Sequence, residues 1–394
     1  MPLRDIVVVG ASLAGLRAAE TLRREGFDGR LLVIGREKHL PYDRPPLSKE
    51  VLAGRRAPET ISLRKPGAWE ELSVDWRLGR QALGLDLDRR TVRLEGGEDL
   101  VFDGLVIATG ATPRTLPGAT ELAGIHVLRT LDDCLSLRAE LERGPRVAVV
   151  GAGFIGAEVA ATCRERGLEV TLLEALAAPL IRGIGPELGG LVAQVHRDHG
   201  VDVRCGVGVA GFAGKTRVEG VRLTDGSFVP AEVVVVGVGV VPDTGWLEGS
   251  GLSLADGVLC DATCATRAEG VVAAGDVARW AHPGFEKPIR LEHWTNAVEQ
   301  GVAAAERLLT GAEAAKPFAP IPYVWSDQYD LKIQIAGLPS TDCSLRIVDG
   351  TLGERRFVAL FERERQLVAA VGFGRARQLM AYRKQLGGEA GRRS

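Results

Sequence analysis

Two stretches of the chain show the same order of apolar and polar positions. In the first, the mostly β-branched residues 6–9 are followed by the turn GASLAG, a run with alanine and leucine at helical spacing, and the apolar segment RLLVIG (30–35). The stretch RVAVVGAGFIGAEVAATCRERGLEVTLLEA (146–175) repeats that order. Short β-branched runs predict buried strands, and apolar residues at positions i, i+3 and i+4 predict amphipathic helices. Each stretch therefore predicts a β-turn-α-β unit of a parallel sheet.

The turn of each unit carries a dinucleotide-binding fingerprint. Small residues let a pyrophosphate approach the helix N-terminus, where free N–H groups and the helix dipole favour an anion. The second copy is a complete GxGxxG, whereas the first has Ser12 in place of the second glycine. A glycine-rich structural turn is the competing interpretation. The candidate binding residues are Gly10, Ser12, Leu13, Ala14 and Gly15 in the first unit and Gly151, Gly153, Phe154, Ile155 and Gly156 in the second.

Glu174, at the end of the strand that follows the second fingerprint, matches the acidic residue that binds a ribose 2′-hydroxyl. Its charge would repel a 2′-phosphate, so we expect NADH rather than NADPH at this unit. Two nicotinamides would have no chemistry to share, whereas a hydride passes from a nicotinamide to a flavin. The first unit is therefore predicted to bind FAD.

Two shorter segments support a flavin. FDGLVIATGATPR (102–114) reads as a strand that ends in the small-residue turn Ala108, Thr109 and Gly110. GVVAAGDVA (270–278) reads as a strand followed by Asp276, whose position would let it accept hydrogen bonds from a polyol chain. Each could be a common strand-turn on its own, but the combination with both fingerprints favours FAD.

The composition excludes several classes of function. The 394 residues are 45% hydrophobic and 25% charged, and the formal net charge of −2 gives no support for a nucleic-acid partner. Six scattered cysteines form no CxxC, and Cys260 and Cys264 lack two further zinc ligands, so we expect no metal site. The longest apolar run, 233–242, is too short to span a bilayer, and MPLRD leaves no room for a signal peptide. We therefore expect a cytoplasmic protein without a membrane partner.

The segments YDRPPLSK, ATGATPR, GAGFIGAE, AAGDVA, EHWTNAVEQG and PYVWSDQYDLKIQIAG occur in that order. Over about residues 4 to 385 the chain resembles the FAD-dependent, NADH-using ferredoxin reductases that serve bacterial oxygenases. The resemblance implies an α/β fold of glutathione-reductase-like architecture, with two Rossmann-like domains and a C-terminal α+β domain. The implied boundaries are 1–113 with 244–318 for FAD, 114–243 for NAD and 319–394 for the last domain. Residues 40–52 lack the CxxxxC of the glutathione-reductase relatives.

The resemblance also implies site residues. It places Lys49, which follows two stiffening prolines, beside the flavin and pairs it with Glu158. There the ammonium would stabilise charge that arrives with the hydride, and the carboxylate would keep the lysine ionised. An ordinary solvated lysine is the competing interpretation. The other positions implied to contact the cofactors are Arg44, Ala82, Arg129, Asp276 and Trp294 for FAD and Gly239 for NAD.

Some residues of these segments have two interpretations. The family usually has Gly-Asp after the strand that follows the first fingerprint, and here Gly35 is followed by Arg36 and Glu37, so the carboxylate is either lost or displaced by one residue, and Arg36 would contact the adenosine phosphate or stack on adenine. Thr295 or Asn296 is predicted to cap a helix whose positive end faces the flavin. Trp325 would pack near the flavin or in the core. The histidines at positions 39, 196, 199 and 282 are expected to be structural or at the surface, and His293 is nearest to the flavin by motif.

The implied reaction takes a hydride from NADH to FAD and passes single electrons to a [2Fe–2S] ferredoxin or rubredoxin that serves an oxygenase or P450. No cysteine set here could hold a cluster, so the cluster belongs to another protein. The basic C-terminal RARQLMAYRKQLGGEAGRR could dock an acidic ferredoxin or simply be solvated. The alternatives are an NADH oxidase or quinone-type reductase, and a redox-sensing flavoprotein like apoptosis-inducing factor. We expect a monomer or weak homodimer.

Overall fold

The structure is a computed structural model that describes residues 3–119, 121–340 and 342–390. The described residues form six α-helices, which are α1 (Leu13–Arg24), α2 (Leu131–Leu141), α3 (Phe154–Glu165), α4 (Ile181–Asp198), α5 (Trp294–Thr310) and α6 (Ala376–Ala390). Short 3₁₀ helices cover Pro45–Ser48, Pro58–Ile61, Glu70–Leu72, Gly245–Leu247 and Gly275–Val277. None of the helices in the described ranges is long and apolar enough to cross a membrane.

The first predicted unit belongs to a parallel sheet of five strands. Their spatial order is Val271–Ala273, Gly104–Ile107, Asp5–Val9, Arg30–Gly35 and Asp75–Leu78. The central strand Asp5–Val9 and its neighbour Gly104–Ile107 are buried except at Asp5, as expected for a parallel sheet covered on both faces. Helix α1 follows the central strand and packs beside α5. The predicted strand-turn-helix-strand order is confirmed.

The second predicted unit belongs to another parallel sheet of five strands. Their order is Asp202–Cys205, Val170–Glu174, Val147–Val150, Val233–Val236 and Ile125–His126. Helix α3 connects two adjacent strands of this sheet, so the duplicated pattern in the sequence corresponds to two Rossmann-like sheets.

Two chain segments link the parallel sheets. Ala111–Pro113 leaves the first sheet, Val240–Pro242 returns from the second, and the two pair as an antiparallel ribbon. The other described strands before the C-terminal part form three small sheets. These are composed of Ala82–Asp86, Thr91–Leu94 and Asp99–Val101, of Val209–Gly214, Val218–Leu223 and Phe228–Pro230, and of Val258–Cys260 with Ala278–Trp280.

The last part of the chain forms a five-stranded antiparallel sheet with α6 against it. Its order is Tyr323–Gln328, Leu331–Gly337, Gln366–Phe373, Arg356–Arg363 and Ser344–Thr351. Apolar residues of α4, such as Leu188 and Val192, share one buried cluster with Ile333 and Phe357 of this sheet. The predicted α/β fold with a C-terminal α+β part is confirmed, and that part packs against α3, α4 and α5.

Candidate active site

A cavity of about 810 Å³ lies where the carboxyl ends of the two parallel sheets face each other. Its lining includes both fingerprint turns, and Trp325 of the C-terminal sheet closes one side. A second cavity of about 360 Å³ adjoins it and shares Ser12, Arg44 and Arg129. These volumes are in the usual range of cofactor sites, and the position matches the ligand crevice of open α/β sheets.

The structure brings nearly all of the predicted binding residues to these two cavities. The main cavity is lined by Ser12, Leu13, Ala14, Arg44, Lys49, Ala108, Gly110, Arg129, Gly151, Gly153, Phe154, Ile155, Gly156, Glu158, Glu174, Gly239, Asp276 and Trp294. The second cavity adds Gly10, Arg36, Glu37, Ala82 and Thr109. Gly15 is not among the lining residues of either cavity.

Gly15 allows close packing of α1 against the first fingerprint turn. A Cβ at Gly15 would lie 1.9 Å from the carbonyl oxygen of Gly10, so the helix could not sit this close to the turn with any other residue. Gly156 stands in the same relation to Gly151. The binding role of Gly15 therefore stays a prediction, since Gly156 packs in the same way and lines the main cavity. Gly153 is different, because a Cβ there would meet no protein atom within 4 Å.

The N-termini of α1 and α3 keep their amide groups available. Ser12 and Gly153 occupy the N-cap positions, and neither provides a side-chain cap. Serine usually caps such a helix, but the Ser12 hydroxyl instead accepts a hydrogen bond from Arg44 Nε at 3.1 Å. Helix amides without a protein acceptor, facing a cavity, fit the pyrophosphate of a dinucleotide.

Arg44 is the centre of a polar cluster between the two cavities. Its guanidinium donates to the backbone oxygen of Arg129 at 2.5 Å and to Glu37 at 2.6 Å. Tyr42 donates to the same Glu37 carboxylate and accepts from the N–H of Leu131, and burial raises the pKa of this phenol. Glu37 thus supplies a carboxylate one position after the place where the family usually has aspartate. Arg44 holds this carboxylate by a hydrogen bond.

Arg36 lies apart from this cluster. Its side chain is 52% exposed, and its nearest ionic partner is Asp243 at 3.5 Å. It lines the second cavity without a close hydrogen bond to a described residue. The structure therefore gives Glu37 and Arg44 fixed positions and leaves Arg36 free to adjust.

Asp276 is held by two arginines at the floor of the main cavity. Arg129 Nη2 lies 2.7 Å from its carboxylate, and Arg290 donates to its backbone oxygen at 3.1 Å. Trp294 donates from Nε1 to Asp43 at 2.8 Å, and its ring meets Trp325 edge-on at 6.0 Å. Trp325 therefore lies at the cavity and not in an apolar core.

The predicted cap of α5 is wrong. The helix begins at Trp294, and His293, with extended backbone, is the N-cap residue. Thr295 lies inside the helix and donates to the backbone oxygen of Tyr323 at 2.8 Å, while Asn296 is buried. Tertiary contact with the C-terminal sheet overrode the local capping preference. His293 also lines the main cavity, and burial lowers its pKa to about 4.

Lys49 and Glu158 form a buried ion pair beside the cavity. Lys49 ends the 3₁₀ helix Pro45–Ser48, and its Nζ lies 2.7 Å from Glu158 Oε2 on α3. The Lys49 side chain is 13% exposed and that of Glu158 is 4% exposed. Ser48 donates to the same carboxylate at 2.5 Å, and Thr162 donates to the backbone oxygen of Ser48 at 2.7 Å. Lys49 is therefore mounted on a segment that is tied to α3, and it is not a solvated surface lysine.

Glu174 ends the strand Val170–Glu174 and hydrogen-bonds to the backbone of the second fingerprint turn. One carboxylate oxygen accepts from the N–H of Ala152 at 2.8 Å, and the other accepts from the N–H of Leu176 at 2.9 Å. Both bonds fix the carboxylate at the end of its strand, where it lines the cavity. The arrangement can receive ribose hydroxyls, which donate to an already oriented anion.

The cavity holds no thiol chemistry. All six cysteines are free, and no described cavity-lining residue is a cysteine. Burial raises the pKa of Cys163 and of Cys264 to about 12, which makes both poor nucleophiles. Within the described ranges, no group of three or more His, Cys, Asp or Glu side chains could bind a metal ion.

Several residues of the site escaped the sequence reasoning. Ser48 and Ser326 donate to Glu158, Asp43 fixes Trp294, and Arg290 supports Asp276. Asp43 and Ser48 lie in YDRPPLSK and Ser326 lies in PYVWSDQYDLKIQIAG, and membership of these segments is the only signal that the sequence offered for the three residues. Ser326 lies on a strand 168 residues from Glu158, and no local pattern announces such a contact.

Comparisons with known proteins agree with this architecture. Residues 4–301 match the family model described as pyridine nucleotide-disulphide oxidoreductase, and residues 323–392 match that described as reductase C-terminal. Rhodocoxin reductase of Rhodococcus erythropolis is 35% identical over 98% of this chain and 90% of its own length. The ferredoxin–NAD(+) reductase component of the p-cumate 2,3-dioxygenase system of Pseudomonas putida is 39% identical over 85% of this chain and 81% of its own.

A solved structure gives the same result. The chain matches putidaredoxin reductase in its covalent complex with putidaredoxin with a TM-score of 0.92 and 31% identity, covering 97% of this chain and 92% of that one. Two Rossmann-like sheets face one cavity, which is lined by a lysine–glutamate pair and by no cysteine among the described residues, and this architecture is that of a pyridine nucleotide oxidoreductase without a redox disulfide. The chain belongs to the pyridine nucleotide-disulphide oxidoreductase family and, within it, to the ferredoxin reductases. The predicted family and enzyme class are confirmed.

Proposed function

We propose that the chain carries FAD at the first fingerprint turn, binds NADH at the second, and passes single electrons to a [2Fe–2S] ferredoxin or rubredoxin of an oxygenase or P450 system. The observation that carries the proposal is the Lys49–Glu158 pair, held between both turns in a cavity without a thiol. FAD, when bound, accepts a hydride from NADH and releases electrons one at a time. A site without a dithiol hands those electrons to an external carrier.

The residues of the chain divide this work. The amides at the start of α1, with Arg44 and Arg129, receive the anionic pyrophosphate of FAD. Lys49 supplies positive charge where negative charge arrives, and Glu158 balances that charge in a site of low dielectric constant. At the second turn, Glu174 receives ribose hydroxyls, and Trp325 with Trp294 limits the access of water.

The domain division is part of the proposal. We assign 1–113 with 244–318 to FAD, 114–243 to NAD and 319–394 to the C-terminal domain. The support comes from the antiparallel ribbon of Ala111–Pro113 with Val240–Pro242, because the chain changes sheets there. We also propose that the protein is a monomer or weak homodimer whose main macromolecular partner is the electron-accepting protein.

The proposal is tested with purified protein, NADH or NADPH, cytochrome c, and a panel of [2Fe–2S] ferredoxins and rubredoxin. We expect cytochrome c reduction that needs a mediator and prefers NADH. Equal consumption of NADH without a mediator would assign the protein to the oxidases or quinone reductases. No bleaching of the flavin absorbance by NADH would overturn the proposal altogether.

A further inference from the structure

A buried row of polar side chains runs from Glu158 away from the cavity. Ser326 Oγ donates to Glu158 Oε1 at 2.8 Å, and Gln328 Nε2 donates to Ser326 Oγ at 3.1 Å. Both side chains are fully buried, and both lie on one face of the strand Tyr323–Gln328, since alternate residues of a strand point the same way. The other Glu158 oxygen holds Lys49, so the C-terminal sheet and the Lys49 segment share one carboxylate.

The row continues to helix α4. His196 Nε2 lies 3.1 Å from Gln328 Oε1, and His196 Nδ1 lies 3.0 Å from the Tyr329 hydroxyl. An amide oxygen only accepts hydrogen bonds, so Nε2 carries the imidazole proton and Nδ1 accepts from Tyr329. Every donor in the row, from the phenol to the serine hydroxyl, therefore points towards Glu158.

We propose that Ser326, Gln328, His196 and Tyr329 are positioning residues that orient the Glu158 anion, and through it Lys49, for reduction of the flavin. The inference rests on the proposed function. A buried carboxylate is stable only when donors replace the lost water, and hydrogen bonds aligned in one direction polarise one another. The row also makes the contact between the C-terminal sheet and α4 part of the reaction site, although none of its four members lines either cavity.

The His196 ring supplies a readout that does not depend on activity. Burial lowers the pKa of His196 to about 4, so the ring is neutral in the working range. Nitrogen-15 NMR of the flavin-loaded protein, assigned with His196→Gln, is expected to show a neutral ring with the proton on Nε2. A proton on Nδ1 would reverse the row and overturn the proposed direction.

The kinetic test compares Ser326→Ala with Ser326→Thr, which keeps the hydroxyl, and with Ser344→Ala, which removes an exposed serine of the same sheet. In stopped flow, S326A is expected to lower the limiting rate of flavin reduction by NADH about tenfold at unchanged NADH affinity. S326T is expected to recover most of the rate and S344A to match wild type. The midpoint potential of the flavin in S326A is expected to become more negative, because Lys49 is held less firmly.

A double-mutant cycle tests whether S326A slows flavin reduction through Glu158. In the Glu158→Gln background, S326A is expected to slow reduction less than twofold further, since it acts through Glu158. An unchanged rate in S326A, or equal slowing in both backgrounds, would overturn the inference and leave the proposed function intact. Wild-type protein that NADH does not reduce would instead overturn the proposed function.

If S326A does not retain flavin, Gln328→Met takes its place in the same cycle, because it breaks the row one bond further from Glu158. Slowing that vanishes in the E158Q background supports the inference. Loss of flavin from both variants shows a merely structural role and overturns it.

Discussion

Lys49 Nζ lies 2.7 Å from Glu158 Oε2, although the two residues are 109 positions apart in the sequence. One comes from a 3₁₀ segment after the first parallel sheet and the other from the first helix of the second unit. A nearly buried ion pair is weak evidence for stability, because the desolvation of both charges offsets their attraction. Its position in a cavity between two dinucleotide-binding turns indicates a role in the reaction instead.

Removal of the ammonium tests this role. We expect Lys49→Ala to retain the yellow flavin and to slow its reduction by NADH by about 100-fold, since charge stabilisation of this kind contributes that much in other sites. Stopped-flow absorbance measures the rate. The matched control is Lys332→Ala, which breaks the exposed ion pair with Asp327. Equal rates in K49A and wild type would remove Lys49 from the mechanism.

Arg44 is expected to decide FAD affinity. Its guanidinium bonds to Ser12, to the Arg129 backbone and to Glu37, so Arg44→Ala loses three hydrogen bonds near the helix N-terminus. We expect the dissociation constant of FAD to rise at least tenfold, measured by quenching of flavin fluorescence in the apoprotein. Arg44→Lys should not restore it, because an ammonium cannot reproduce the fork of donors.

Arg36→Ala is the control for that series. Arg36 is half exposed and its ion pair with Asp243 is long, so we expect a change in FAD affinity of less than threefold. A larger loss in R36A than in R44A would show that Arg36, and not the Arg44–Glu37 pair, compensates for the aspartate that the family usually has after Gly35.

The sequence predicted best what depends on local spacing. Both fingerprint turns, their strands and their helices follow from short-range patterns, so the two parallel sheets are predictable from the amino-acid sequence alone. The start of α5 is not, because the Thr295 hydroxyl bonds to the distant Tyr323 backbone. Ser326 and His196 look like ordinary polar residues of a strand and a helix. Their roles follow from packing of the C-terminal sheet against Glu158 of α3 and against α4, which no local pattern encodes.

Glu174 is expected to set the preference for NADH. Its carboxylate is fixed by the N–H groups of Ala152 and Leu176, where a 2′-phosphate would meet it. Glu174→Ala should lower the ratio of kcat/KM for NADH over NADPH by about tenfold or more. The control is Glu169→Ala, an exposed acid just before the same strand. An unchanged ratio in E174A would place the discrimination elsewhere.

The cysteines provide a test of the thiol-free mechanism. Cys163 and Cys264 are buried and burial raises the pKa of each thiol to about 12, whereas Cys205 and Cys343 are partly exposed. We expect iodoacetamide at pH 8 to label Cys343 first and Cys205 more slowly, because burial also raises the pKa of the Cys205 thiol, as read by mass spectrometry of the native protein, without loss of mediator-dependent activity. Inactivation that persists in the Cys205→Ser, Cys343→Ser double variant would reveal a reactive thiol that the structure does not show.

His196 is expected to make stability depend on pH. Burial lowers its pKa to about 4 in the folded protein, below the value of about 6.5 in the unfolded chain. The unfolded chain therefore binds the proton first, so the contribution is complete above about pH 6.5 and declines as the pH falls towards 4. Between pH 7 and pH 5, wild type should lose about 2 kcal/mol more of its unfolding free energy than His196→Gln, measured by urea unfolding with tryptophan fluorescence. Parallel losses in both proteins would show that the ring is already charged at pH 5, and a charged ring cannot accept the Tyr329 hydrogen bond.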